Sequence, residues 1–229
     1  AHFDNPYALG KISDEEKELY EIKSNLNSAI QQKNFQNEKY YQREIICKFE
    51  KVKNYKGCLE SAENYCARFD DQDEFVWNMQ YIANKALGRL DAAKRCLDRS
   101  LQISPNDGSL IYNYSILLET VDGDQAALDY LEKNASKDPE YEDTFLRMII
   151  LKNRLGISVF SEAEEVVKKY KADPLSFSNF SKRNILPSIF KIAGEPYAYV
   201  DPKKIRSKED EGKFLKSSDL PINPDDLPF

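Results

Sequence analysis

Very few side chains in this sequence are of the kinds that make or break bonds near neutral pH. There is one histidine, His2, and there are four cysteines, Cys47, Cys58, Cys66 and Cys96. A zinc centre needs about four nitrogen or sulfur ligands at matched spacing. Here the thiols are scattered singly, with no CxxC pair, and the only imidazole stands at the second residue. No metal site is expected, and the cysteines read as small core residues of a reducing compartment. A Cys58–Cys66 disulfide is excluded on an expected helix, because two helical turns separate the pair by about 12 Å.

The remaining chemical candidates are carboxylates, most densely Glu162, Glu164 and Glu165. Acid–base catalysis needs a proton-transfer group whose environment tunes its pKa, and three glutamates on one helix in water make a solvated face. Neither a GxxxxGK nor a GxGxxG phosphate loop occurs among only 8 glycines. The chain is therefore expected to be non-enzymatic and to carry no cofactor.

Bulk composition narrows the partners. The chain has 229 residues, 41% of them hydrophobic, which is enough to fold without staples. A net charge of −6, drawn from 31% charged residues of both signs, offers no field for nucleic acid or an anionic membrane. The one basic cluster, KKIRSK at 203–208, runs directly into EDE and reads as a solvated mixed-charge segment. No apolar run approaches the roughly 20 residues a bilayer requires, and AHFDNPYALGKISDEE has no secretion-signal pattern. The expectation is a soluble, cytoplasmic chain with neither nucleic-acid nor membrane partners; the alternative is a leader already removed.

The elements that must position any site are helices. Apolar residues recur three and four apart through stretches rich in Glu, Lys, Ala, Leu and Gln. Helices are predicted over 14–33, 37–52, 55–69, 74–87, 90–103, 108–121, 124–136, 141–154, 159–171 and 179–192. The breaks between them are short and carry breaker chemistry, as at Lys53-Asn54, Gly88-Arg89, Pro105-Asn106-Asp107-Gly108, Asp122-Gly123, Asp138-Pro139 and Asp173-Pro174. Short breaks imply antiparallel hairpins.

A fixed period runs through these hairpins. Pro105 to Pro139, Ala93 to Ala127 and Leu97 to Leu131 are each 34 residues, and a further step of 35 reaches Pro174 forwards from Pro139 or Cys58 backwards from Ala93. With residue 74 as the first of a unit, Trp77, Gly88, Ala93 and Pro105 occupy its fourth place, interhelix break, small packing position and end. The unit from 108 offers Ile111, Ala127, Leu131 and Pro139. That from about 39 offers Tyr55, Cys58, Ala62 and Asp70, and that from about 142 offers Phe145, Met148, Gly156, Ala163 and Pro174.

In these residues the chain resembles the tetratricopeptide repeat family, with Gln80, Tyr81 and Asn84 standing where that family usually has Leu, Gly and Tyr. The resemblance implies an all-α, right-handed helical-hairpin solenoid with capping helices and an extended C-terminal tail. Its parts would be an N-terminal segment and cap over 1–38, about four hairpins over 39–174, a closing helix over 175–194 and a tail over 195–229. The stripe Leu19, Ile22, Leu26, Ile30 suits an end cap, and the proline inside FSKRNILPSIFKIA predicts a kinked closing helix.

By the same resemblance, the first helix of each unit lines a concave groove that holds a peptide or helix of a partner. By position the groove would present Tyr40 and Arg43; Phe75, Asn78, Ile82 and Lys85; Ser109, Tyr112, Asn113, Ile116 and Glu119; and Asp143, Leu146 and Arg147. Ile82, Ile116 and Leu146 serve equally well as packing residues. The clamp by which some members bind acidic chaperone C-termini is matched at two of five positions, and Asp143 would repel a carboxylate there. The expected role is an adaptor or assembly factor. The alternatives are a scaffold subunit of an enzyme complex, or a groove regulated by its own tail, whose anchors would be Tyr197, Tyr199, Phe214, Leu215, Leu220, Leu227 and Phe229.

Overall fold

The computed structural model describes residues 13–69 and 71–201. Among these residues there are eleven α-helices and no strands. They fall into two compact units, which meet in sequence between Gly123 and Asp124. That boundary lies inside the hairpin expected from residue 108.

The first unit contains α1 (Asp14–Gln31), α2 (Phe35–Lys51), α3 (Tyr55–Arg68), α4 (Glu74–Ala86), α5 (Leu90–Ile103) and α6 (Gly108–Asp122), each packed on the next. Their starts are set by local chemistry. Ser13 caps α1 through a reciprocal pair with Glu16. Asn34, Asn54 and Asp107 cap α2, α3 and α6 by accepting backbone N–H bonds. Because α2 also lies against α4, each hairpin covers the apolar face of its neighbour. One core joins Ile46, Cys58, Ala62, Tyr65, Val76 and Ala83. A second joins Tyr81, Ala93, Cys96, Leu97, Leu110 and Leu117. The cap α1 is thinner than its sequence stripe suggested: Ala29 is its buried residue, while Ile30 is exposed.

The second unit contains α7 (Asp124–Asn134), α8 (Glu142–Arg154), α9 (Phe160–Ala172), α10 (Asn179–Asn184) and α11 (Leu186–Ile192), with 3-10 turns at Ala135–Lys137 and Pro174–Ser176. Helix α7 packs on α8, and both α8 and α9 pack on α11. The predicted closing helix is broken at Ile185. Pro187 lies in the first turn of α11, where its missing N–H costs least.

The sequence period reappears as a period of burial. The fourth residues of α3, α5, α7 and α9 are Cys58, Ala93, Ala127 and Ala163, all 0% exposed. The eighth residues, Ala62, Leu97, Leu131 and Val167, and the eleventh, Tyr65, Ser100, Asn134 and Tyr170, are buried as well. In the preceding helices α4, α6 and α8 the third residues, Val76, Leu110 and Thr144, and the tenth, Ala83, Leu117 and Leu151, are also buried. A stripe at i, i+4 and i+7 is one face of a helix, and a small residue near its start lets two helices approach closely. The chain is thus a hairpin-rich all-α protein whose buried positions repeat like those of a helical repeat.

A backbone signature accompanies the stripe. The turns before α3, α5, α7 and α9 each place one residue in the left-handed region: Lys53 at φ 58°, Gly88 at 72°, Gly123 at 89° and Gly156 at 77°. Three of the four are glycine, the residue without a Cβ penalty there. Lys53 holds a positive φ at a steric cost, as does Lys33, at φ 54°, in the turn before α2.

Candidate functional site

The expected groove residues of the first unit stand on α2, α4 and α6, and the structure groups them in pairs. The Arg43 guanidinium lies 4.5 Å over the Phe75 ring. It also reaches Asp73 Oδ2 at 3.4 Å, and the buried Asp73 accepts a second bond from the Tyr65 hydroxyl. Asn113 donates from Nδ2 to Asn78 Oδ1 at 3.0 Å, while its carbonyl accepts from the Tyr81 hydroxyl at 3.1 Å. Tyr40 is 56% exposed and meets Tyr41 edge to face. Ile82 is half-buried and packs against the core around Leu97. Lys85, Ser109, Ile116 and Glu119 are half-buried.

Three of the expected groove residues, Tyr112, Asp143 and Leu146, are not presented to solvent. Tyr112 is only 7% exposed, so its ring is packing rather than binding surface. Asp143, 5% exposed on α8, accepts a bond from the Ser181 hydroxyl of α10. Burial raises its pKa above the ordinary 3.8, and the Ser181 hydrogen bond opposes that shift only in part. It is therefore a joint between α8 and α10 rather than a groove charge. Leu146 is buried, Arg147 is half-buried, and Phe145, which the resemblance set among the repeat positions of its unit, is exposed. Helical spacing locates a face but does not say which of two neighbouring faces a later element will cover.

A second polar construction involves two of the expected tail anchors, Tyr197 and Tyr199, on a surface that the sequence did not name. The packed body was expected to end at Gly194, but residues Glu195 to Asp201 remain on the second unit as an extended segment without helix or strand. The Tyr170 hydroxyl donates to the Ala198 carbonyl at 2.8 Å and accepts from the Val200 N–H at 3.1 Å. The Tyr197 ring sits 5.0 Å from Phe190 and 5.6 Å from Tyr170, and its hydroxyl donates to the Lys182 carbonyl. Burial pushes the pKa of both phenols up, which keeps them as neutral donors. Lys171 pairs with Glu195 at 2.9 Å, and Arg183 lies 5.5 Å over the Tyr199 ring. The sequence signal was the tyrosine pair in an otherwise aperiodic stretch; what it packed on was not legible. The other expected tail anchors, Phe214, Leu215, Leu220, Leu227 and Phe229, lie outside the described residues, as does Asp70.

Nothing else described gathers chemistry. Glu162, Glu164 and Glu165 are exposed along α9, and Glu164 and Glu165 share an open depression of about 500 Å³ with Lys168, Lys171 and Glu195. None of the four cysteines is in a disulfide, and burial raises the Cys58 thiol to about 11. No group of three or more potential metal ligands occurs among the described residues, and no helix there is long and apolar enough to cross a membrane. The sequence matches no protein-family model and no curated protein.

Proposed function

We propose that this chain is a non-enzymatic interaction module of the tetratricopeptide repeat type, an adaptor or assembly factor that holds a peptide or helix of a partner protein along its first helices. The observation that carries this reading is the repeated burial stripe of α3, α5, α7 and α9. Helices that spend one face on their neighbours in every hairpin leave the first helices of the hairpins to make a surface. On that surface Tyr40 is open, Arg43 stacks on Phe75, and the Asn78–Asn113 amides stand between two hairpins. Aromatic rings, a guanidinium and amides form a residue set suited to anchoring a peptide by a few contacts.

The test is affinity capture from native lysate with the full chain, comparing the unaltered protein with a Tyr40→Ala, Arg43→Glu, Phe75→Ala variant shown by melting to be folded. Loss of a defined set of proteins from the variant supports the reading. Equal capture by both refutes it. If the captured set carries an enzymatic activity, the chain is a scaffold subunit of that enzyme.

A further inference from the structure

Beyond Glu195, whose N–H caps α11 on the Phe190 carbonyl, the segment to Asp201 is held in the manner of a bound peptide. In an extended chain the carbonyl of one residue and the N–H of the next but one lie on the same edge. Tyr170, itself buried, places one hydroxyl between those two groups of Ala198 and Val200 and so reads main chain, as a sheet edge would. Side chains are read separately. Tyr197 enters the aromatic pocket of Tyr170 and Phe190, while Val200, three residues on, is buried. The periphery is charged, through Lys171 to Glu195 and Arg183 over Tyr199. Main-chain recognition, two side-chain pockets and a polar rim make up the anatomy of a peptide site. Gly194, at φ 70°, turns the segment out of the line of α11 at a residue with no Cβ penalty for that conformation. Ordering seven residues offsets much of what the hydrogen bonds to Tyr170 and Lys182, the half-buried Tyr197 and the buried Val200 contribute, which favours exchange of the segment.

We propose that the face of α9 and α11 is a peptide-binding site filled in cis by residues 195–201. It would accept from a partner an extended segment with a tyrosine followed three residues later by a valine-sized side chain. This site is separate from the first-helix surface of the first unit and does not depend on that reading. The resident segment competes at the high effective concentration of a tethered ligand, so the site in the intact chain is closed to weak ligands.

The test uses the full chain with Tyr197→Ser and Val200→Ser, which empties both pockets while keeping Tyr170 and Phe190. The probe is a fluorescent synthetic peptide of residues 195–201, EPYAYVD, followed by anisotropy. The double variant is expected to bind the peptide at least tenfold more tightly than the unaltered chain, and a peptide carrying both serine substitutions should bind neither protein. A variant with an unaltered far-UV spectrum and cooperative melt that fails to bind overturns the proposal and leaves the segment a structural clasp. Should the variant not fold, hydrogen exchange of the unaltered chain decides. A Val200 amide exchanging at least a hundredfold faster than the α9 amide of Val167 supports an exchangeable segment, and equal rates refute it. A concentration-dependent dimer that the double variant does not form would replace the partner with a second copy of this chain.

Discussion

The two units differ in what their most buried phenols and groove-side polar groups engage. In the first, the polar groups of α2, α4 and α6 pair across hairpins: Arg43 with Asp73, Asn113 with Asn78, and Tyr81 with the Asn113 carbonyl. In the second, the Tyr170 and Tyr197 hydroxyls are engaged with a stretch of main chain that belongs to no helix or with a helix carbonyl beside it. The helices are of the same make in both. Tyr65 of α3 and Tyr170 of α9 occupy the same eleventh place and are both buried, yet one donates to a carboxylate and the other to a peptide carbonyl. A repeated framework therefore fixes where a side chain stands, and the local neighbour decides what it does.

The largest way to break this comparison is to cut the shared stripe. Leu97→Ala in the first unit and Leu131→Ala in the second each remove a fully buried side chain, and each is expected to cost about 2–5 kcal/mol. Urea denaturation followed by limited proteolysis will show whether each lesion stays in its own unit. Tyr170→Phe comes next: it leaves the Ala198 carbonyl and Val200 N–H without their partner, at roughly 1–3 kcal/mol. Only proteolytic sites of the second unit should become more accessible.

A pH experiment sharpens the contrast further. The folded pKa of Asp143 lies above its unfolded value, so between those two values the native state binds more protons than the unfolded state. Its contribution is complete below the unfolded value of about 3.8. It is lost as pH rises through the folded value. Asp143→Asn should abolish that decline, giving a urea midpoint that falls less than the unaltered protein's as pH is raised from 4 to 7. A larger fall in the variant would contradict the burial-driven shift.

Smaller effects test the turns and the surface. Lys53→Gly relieves a left-handed lysine and makes the first hairpin turn like the three that follow, with an expected gain of about 0.5–1 kcal/mol in thermal unfolding. Arg43→Ala removes a half-exposed ion pair and its ring stacking at a cost on the order of 0.2–1 kcal/mol, and added salt should shrink the difference. That small cost is what lets a binding defect at Arg43 be separated from unfolding.

The helices, their breaks and the small residues at Cys58, Ala93, Ala127 and Ala163 were legible in the sequence because each follows from local chemistry or from a period. Helix α5 was placed to the residue, and the interruption near Pro187 was expected, because proline acts within one turn. The groove was less legible. Arg43 and Phe75 come together, as do Asn78 and Asn113, whereas Tyr112 and Asp143 are buried. The missing information for Asp143 was α10, whose Ser181 arrives from 38 residues downstream. Tyr197 and Tyr199 were legible as tail anchors, but the surface that residues 195–201 pack on was not, because an extended segment bound by its main chain leaves no periodic trace.

The sequence by itself determined a helical body with hairpin spacing over residues 14–192, since periodicity, caps and breakers act over a few residues and need no partner. Which polar groups face one another was decided only by tertiary structure, because hydrogen bonding and desolvation depend on atoms brought within about 3 Å from distant parts of the chain. Tyr170 shows the division: its place on the buried face of α9 is set by the repeat, and its hold on Ala198 and Val200 by a fold that returns the chain across it.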